Sequence, residues 1–193
     1  MPRSKAVNPL SLFAPNKTPS KNTLTVPEIA LFAMLGALMF GAQVVMEVLP
    51  NIHLSGMFVI LYTVLFRKKA LIPIYLYVFL IGVRWGFGLA WIPYLYLWLI
   101  LWALVMLVPQ KTPNKWKMIL YPVIGGLFGL SFGTLYAPSQ ALLFGLNFKQ
   151  TLLWIAAGFT WDIVHAAGNA VFSTLVVPLS QVLSRVLKRA GIK

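Results

Sequence analysis

The chain has 193 residues, of which 60% are hydrophobic and 10% are charged, and it contains no cysteine. A soluble domain of this size cannot bury so much apolar surface, so the composition predicts an all-α integral membrane protein. Disulfides and thiol chemistry are excluded, and two histidines and three acids are too few to predict a metal site or an acid-rich catalytic centre. We expect no cofactor.

The first half of the chain is predicted to hold a tail and three helices. Residues 1–23 carry four basic side chains, and we expect a flexible cytoplasmic tail ahead of a single membrane domain at 24–193. Helix 1 is predicted over 25–48, helix 2 over 54–66 and helix 3 over 70–83. Helices 2 and 3 would each be roughly 21 Å long, whereas the hydrocarbon core of a bilayer is about 30 Å thick. We therefore expect them to recruit flanking residues or to leave a hollow at one side.

The second half is predicted to hold three further helices. The expected segments are an aromatic loop at 84–91, helix 4 at 92–109, a basic loop at 110–117, helix 5 at 118–136, a polar loop at 137–150 and helix 6 at 151–187. Four glycines between 125 and 133 would let neighbouring helices pack closely on helix 5. Gly158 and Pro178 are expected to mark irregularities in helix 6.

The basic residues are distributed in a way that predicts the orientation. Fourteen of the 16 fall in the tail, at 67–69, at 110–117 and at 185–193, and the other two are Arg84 and Lys149. Six transmembrane helices place the four basic segments on one side, which the positive-inside rule makes cytoplasmic. The sequence therefore predicts a multi-pass protein of a prokaryotic cell membrane with both termini in the cytoplasm. Contact with anionic membrane lipid accounts for the net charge of +13 without a nucleic-acid partner.

Polar and aromatic residues collect on the predicted outer side. They come from three outer loops and from one face of helix 6: Glu47, Asn51 and His53; Arg84, Trp85, Trp91 and Tyr94; Tyr136, Gln140 and Asn147; and Trp161, Asp162, His165 and Asn169. These side chains could line a pocket in which rings stack on a flat ligand and polar groups orient it. The alternatives are an interfacial aromatic belt, pairing of Asp162 with a neighbour, and a hydrogen bond from Asn169 to another helix.

A ladder of small residues flattens the cytoplasmic half of helix 1. Ala33, Ala37 and Gly41 recur at every fourth position. Such a face lets another helix approach closely, so it is a candidate docking surface for a partner subunit. The alternative is packing inside the bundle of this chain.

Catalytic motifs are absent from the sequence. No glycine-rich stretch ends in Gly-Lys-Ser or Gly-Lys-Thr, so the chain cannot hydrolyse ATP by itself. Asp162 and His165 form the one pair that resembles a catalytic dyad, and no nucleophile accompanies them. We therefore expect no enzyme, and a small intramembrane enzyme that uses these two residues is the alternative.

Together these features resemble the substrate-binding S component of an energy-coupling factor (ECF) transporter. The resemblance covers about 25–187 and rests on the size, the six helices, the Ala33-x3-Ala37 motif, the stretch Glu47–His53 and the stretch Trp161–Asn169. It implies that the outer pocket binds one vitamin under a lid of loops. It also implies that the alanine face docks on a transmembrane coupling subunit driven by two ATPase subunits, and that the chain topples in the membrane to carry the ligand inward.

The sequence gives weaker indications of which vitamin is bound. The loop sequences look most similar to a subgroup assigned to cobalamin, and aromatic residues and glycines suit a large, partly apolar ligand. Arg84, Trp85 and His53 would equally suit an anionic vitamin such as pantothenate or folate, and riboflavin would also stack on the aromatic rings.

Overall fold

The computed structural model describes residues 24–192, so the expected tail at 1–23 lies outside the described residues. Residues 24–192 form helices and connections without a β-strand, as the composition predicts. The helices are α1 (Val26–Met46), α2 (Ser55–Phe66), α3 (Leu71–Trp85), α4 (Tyr94–Met106), α5 (Asn114–Leu130), α6 (Phe132–Phe144), α7 (Phe148–Ser173) and α8 (Val176–Arg189), and a short 3₁₀ turn (Arg67–Ala70) joins α2 to α3.

Two stretches of helix are long and apolar enough to cross a membrane. One is α1, with 21 residues, and the other is the nearly continuous helix Asn114–Phe144, with 31 residues. The pair α7 and α8 makes a third candidate, bent by 44° at Thr174 and Leu175. Helices α2, α3 and α4 have 12, 15 and 13 residues, so each alone is shorter than a bilayer core of about 30 Å.

The short helix α2 occupies the centre of the bundle. It packs against α1, α4, α5, α7 and α8. Its residues from Ser55 to Thr63 are buried apart from the half-buried Phe58. The largest fully buried side chains include Tyr62 on α2, Tyr77 on α3 and Phe128 on α5. A helix enclosed in this way buries apolar side chains against protein and does not need the length of a lipid-facing span.

The helix ends fall into two groups, which we call the basic end and the aromatic end. At the basic end Lys69 donates to Glu28 at the start of α1, and Arg67 donates to the carbonyl of Met106 at 2.9 Å. The helices α5 and α8 also meet there, around Lys117 and Arg185. The aromatic end holds the connections 47–54, 86–93 and 145–147.

The structure differs from the predictions for the second half of the chain in the loop at 137–150 and in the course of helix 6. The expected loop at 137–150 is largely helical, since α6 continues to Phe144 and only 145–147 separates it from α7. Pro138 lies inside α6, where packing against α7 holds the helix despite the missing N–H. Helix 6 of the sequence interpretation begins at Phe148 and breaks at 174–175, whereas Gly158 lies in unbroken helix.

Capping residues explain where the two longest single helices begin. Thr25 accepts from the backbone N–H of Glu28, and the Glu28 carboxylate accepts from the backbone N–H of Thr25. Asn147 and Gln150 form the same reciprocal arrangement ahead of α7, at 2.8 and 2.9 Å. Each capping box satisfies free N–H groups of a first helical turn and so fixes the start of the helix.

Candidate functional site

A depression of about 330 Å³ opens at the aromatic end, between the ends of α1 and α3, the 86–93 connection and α6. Four of its ten lining residues are aromatic and two have polar side chains: Gln43, Glu47, Ile81, Trp85, Gly86, Gly88, Ala90, Trp91, Tyr94 and Tyr136. Five of these, Glu47, Trp85, Trp91, Tyr94 and Tyr136, belong to the residues that the sequence singles out.

Two further depressions adjoin the first and share residues with it. One of about 450 Å³ includes Glu47, Asn51, His53 and Trp161. Another of about 380 Å³ is lined by Asn51, Phe132, Gly133, Tyr136, Gln140, Trp154, Gly158, Trp161 and Asp162. We call the three together the aromatic groove. The three depressions lie next to one another around the connection 47–54, because each of them shares lining residues with the other two: Glu47, Tyr136, Asn51 and Trp161.

The aromatic wall is held in place by two hydrogen bonds to backbone carbonyls. The Trp91 indole N–H donates to the carbonyl of Val78 at 2.8 Å, and the Tyr136 hydroxyl donates to the carbonyl of Ala90 at 2.8 Å. The helix α3 ends at Gly86, which has φ +93° and so adopts a conformation that favours glycine. These constraints order the 86–93 connection over the groove.

Gln43 connects three elements beneath the groove, and the sequence interpretation missed it. Its side-chain oxygen accepts from the Ser55 hydroxyl at 2.8 Å and from the Tyr77 hydroxyl at 3.4 Å. Its side-chain nitrogen lies 3.2 Å from Nδ1 of His53. Burial lowers the pKa of His53 from its ordinary value, because a partly desolvated site disfavours the charged imidazolium. The signal for Gln43 in the sequence is a lone amide near the end of an apolar helix.

The polar face of α7 is buried and turns toward the bundle. Asp162 accepts the backbone N–H of Gly133, in the first turn of α6, at 3.0 Å. The His165 ring packs against the rings of Phe132 and His53, at centroid distances of 4.7 and 5.7 Å. The Asn169 amide is buried and has no hydrogen-bond partner among residues 24–192.

The structure thus brings ten of the 14 predicted site residues to the aromatic groove and leaves four elsewhere. Asn147 caps α7, and the Arg84 guanidinium lies over the ring of its neighbour Trp85, 5.2 Å from the centroid. His165 and Asn169 lie in the protein interior and line none of the three depressions. Arg84 and Trp85 also belong to the last turn of α3 and not to the expected loop.

The acidic and histidine side chains near the groove were considered from the sequence as a catalytic pair, and the structure gives their geometry. Asp162 and His165 do not hydrogen-bond to each other, and the Asp162 carboxylate is engaged by the backbone of α6. Within residues 24–192 no group of three or more histidine or acidic side chains could hold a metal ion.

The small-residue ladder of α1 faces away from the bundle. Ala33, Ala37 and Gly41 are exposed, and a Cβ added to Gly41 would meet no atom within 4 Å. The opposite face of α1 packs inward through Phe32 and Met39. Packing of the ladder inside this chain, the alternative considered from the sequence, is therefore not what the structure shows.

Comparison of the chain with protein-family profiles, with curated proteins and with solved structures gave no significant match. The similarity to S components thus stays a prediction based on the motifs quoted above.

Proposed function

We propose that this protein is the substrate-binding S component of an ECF-type ABC transporter. It would capture a vitamin at the aromatic groove outside the cell. A transmembrane coupling subunit and two ATPase subunits would then drive its delivery inward. In this arrangement all six predicted helices cross the membrane of a prokaryotic cell, with the basic end in the cytoplasm.

The observation that carries the proposal is the separation of two surfaces on one chain. The aromatic groove adjoins the end of α1 at Gln43 and Glu47, whereas Ala33 and Ala37 lie nearer its start, where Glu28 meets Lys69. Binding a ligand therefore leaves the ladder free for a partner helix. A transport subunit that must bind a ligand and dock on a motor at the same time requires such a separation.

The ladder is suited to a helix of another subunit. Helices in a bilayer gain little from hydrophobic burial, and small side chains allow the close backbone approach that stabilises their association. Ala33 and Ala37 match the resemblance residue by residue, and Gly41 extends the same face. A coupling subunit is thus the partner that we assign to this surface.

Cobalamin is the ligand that we favour among the vitamins. The groove is wide and extends through three depressions, which suits a large and partly apolar molecule. Pantothenate, folate and riboflavin are the alternatives, and they differ from one another in charge and in ring area.

The separation of surfaces predicts that docking and binding respond to different substitutions. The double variant Ala33→Trp with Ala37→Trp should abolish cobalamin uptake by cells and leave the affinity of the purified chain for cobalamin close to that of the wild type. Two indoles on the ladder would hold a partner helix away, whereas the groove at the other end of α1 is untouched.

The matched control places two tryptophans at the same spacing on a neighbouring strip of α1. Met34→Trp with Leu38→Trp substitutes residues that are also exposed, and it should retain uptake. Loss of affinity together with uptake in the ladder variant would contradict the separation. Uptake by the ladder variant at the wild-type rate would show that the ladder is not the docking surface.

A further inference from the structure

The charges that line the aromatic groove are all of one sign. Glu47 and Asp162 are its two charged lining residues, and no lysine or arginine of residues 24–192 lines it. The chain as a whole has a net charge of +13, so the absence of basic residues from the groove contrasts with the rest of the surface. Nine of the basic residues between 24 and 192 lie instead toward the basic end.

Asp162 offers a buried acceptor with unused capacity. The residue is 6% exposed and lines the depression formed with Tyr136 and Trp161. Its Oδ1 accepts from the Gly133 N–H, whereas its Oδ2 has no hydrogen-bond partner among residues 24–192. The start of α6 favours a negative charge at this position. Buried polar atoms in native proteins are nearly always paired, so the unpaired Oδ2, which is covered by Gly133, leaves negative charge uncompensated beside the groove.

The positively charged candidates near the groove do not offset these acids. The Arg84 guanidinium lies over the Trp85 ring and does not line the groove, and burial lowers the pKa of His53, which disfavours its charged form. A ligand carboxylate would therefore meet Glu47 and Asp162 with no lining cation of residues 24–192 to stabilise it. Like charges brought together in a partly desolvated site oppose binding.

The remaining walls add flat apolar surface and side-chain amides. The rings of Tyr136 and Trp154 are stacked with centroids 6.0 Å apart. Asn51 and Gln140 supply amides that can accept as well as donate. A ring with N–H groups at its edge matches this combination of aromatic faces and acceptors.

We propose that the ligand of the aromatic groove is a neutral or cationic molecule that presents N–H donors and carries no free carboxylate. The inference rests on the proposed function and narrows its substrate class. Cobalamin, with its peripheral primary amides, and riboflavin, with its ring imide, belong to this class. Pantothenate and folate carry carboxylates and are excluded from it.

The test uses pairs of ligands that differ at one carboxyl group. The purified full chain is titrated with cobalamin and with the cobalamin derivative in which one side-chain amide is hydrolysed to the acid. The titration is done at about pH 7, because carboxylic acids are ionised there. Panthenol with pantothenate, and nicotinamide with nicotinate, provide further pairs. Riboflavin is titrated alone. Binding is measured by thermal shift and by equilibrium titration. We expect each pair that binds to favour the neutral member by about tenfold or more, because the acid meets uncompensated carboxylates.

Three single variants test which residues cause the preference for the neutral member of each pair. Glu47→Gln and Asp162→Asn should each reduce the preference for the neutral member, since an amide no longer repels a carboxylate. Because Asp162 also holds the start of α6, Glu47→Gln decides the outcome if Asp162→Asn does not fold. Glu28→Gln removes the third acid at the basic end and should leave the preference unchanged.

Two outcomes would overturn this inference alone, and a third would also overturn the proposed function. Tighter binding of the acid members, lost in Arg84→Gln, would overturn this inference and leave the vitamin-binding function standing. An unchanged preference in Glu47→Gln and Asp162→Asn would also overturn it. If riboflavin, every member of the pairs and folate, titrated in the same way, all failed to stabilise the chain, the proposed function itself would be overturned, and this inference with it.

Discussion

Gln43 is the residue whose loss should disturb the groove most. Replacing it with alanine removes the acceptor of the Ser55 and Tyr77 hydroxyls and the partner of His53. A buried polar group left unpaired costs about 1–3 kcal/mol, so Gln43→Ala should lower the thermal unfolding midpoint of the purified chain. The remaining contact between Ser55 and Tyr77, at 3.1 Å, places the expected loss toward the lower part of that range.

The matched control is Gln181→Ala, because Gln181 lies on α8 with an exposed side chain. This variant should unfold at nearly the wild-type temperature, as surface substitutions usually do. Equal unfolding midpoints for Gln43→Ala and the wild type would show that the Ser55 and Tyr77 hydroxyls and the His53 imidazole find other partners.

At the residue level the sequence predicts chemistry better than it predicts geometry. Trp91 and Tyr136 stand out as amphipathic rings in an outer segment, and both line the groove. Asn147 stands out equally as a polar loop residue, yet its side chain caps α7. Gln43 was missed because its partners Ser55 and Tyr77 are supplied by two other helices, and this proximity arises only in the packed bundle.

At the scale of the helices, glycine allows α5 and α7 to pack closely against each other. A Cβ on Gly129 would lie 2.7 Å from the Cα of Ala166 and 2.8 Å from its backbone nitrogen. A backbone cannot turn aside as a flexible side chain can, so the helices would have to separate. We expect Gly129→Ala to cost about 1–3 kcal/mol of unfolding free energy, as overpacking usually does.

Gly41→Ala is the control for helix propensity. Gly41 has open space around its Cβ position, and alanine in a helix interior is favoured over glycine by roughly 0.5–1 kcal/mol. The two variants should therefore change the unfolding midpoint in opposite directions. A midpoint for Gly129→Ala at or above that of the wild type would mean that α5 and α7 are less closely packed than the structure indicates.

The same pair of helices shows where sequence patterns fail at the element scale. The glycines of α5 correctly predict a closely packed helix. The prolines and polar residues at 137–150 predict a loop, because proline and amide side chains are frequent in turns. Contact with α7 keeps α6 helical through Pro138 to Phe144, and this stabilisation comes from a segment later in the chain that local patterns do not register.

Most basic residues between 24 and 192 lie at one end of the molecule and the aromatic groove lies at the other, and this asymmetry predicts an orientation in the membrane that can be tested. The chain contains no cysteine, so single cysteines can report on it without a background. Gln110→Cys lies at the basic end between α4 and α5, and Leu89→Cys lies in the 86–93 connection at the aromatic end, both at exposed positions.

With six helices crossing the membrane and the basic end inside, an impermeant maleimide added to intact cells should label Leu89→Cys. It should label Gln110→Cys only after the membrane is permeabilised. Phe148→Cys, at an exposed position beside the connection 145–147, should behave like Leu89→Cys. Labelling of Gln110→Cys and Leu89→Cys from the same side would mean that α4 does not cross the bilayer. Labelling of Gln110→Cys alone from outside would invert the orientation and place the groove in the cytoplasm, where it could not capture an external vitamin.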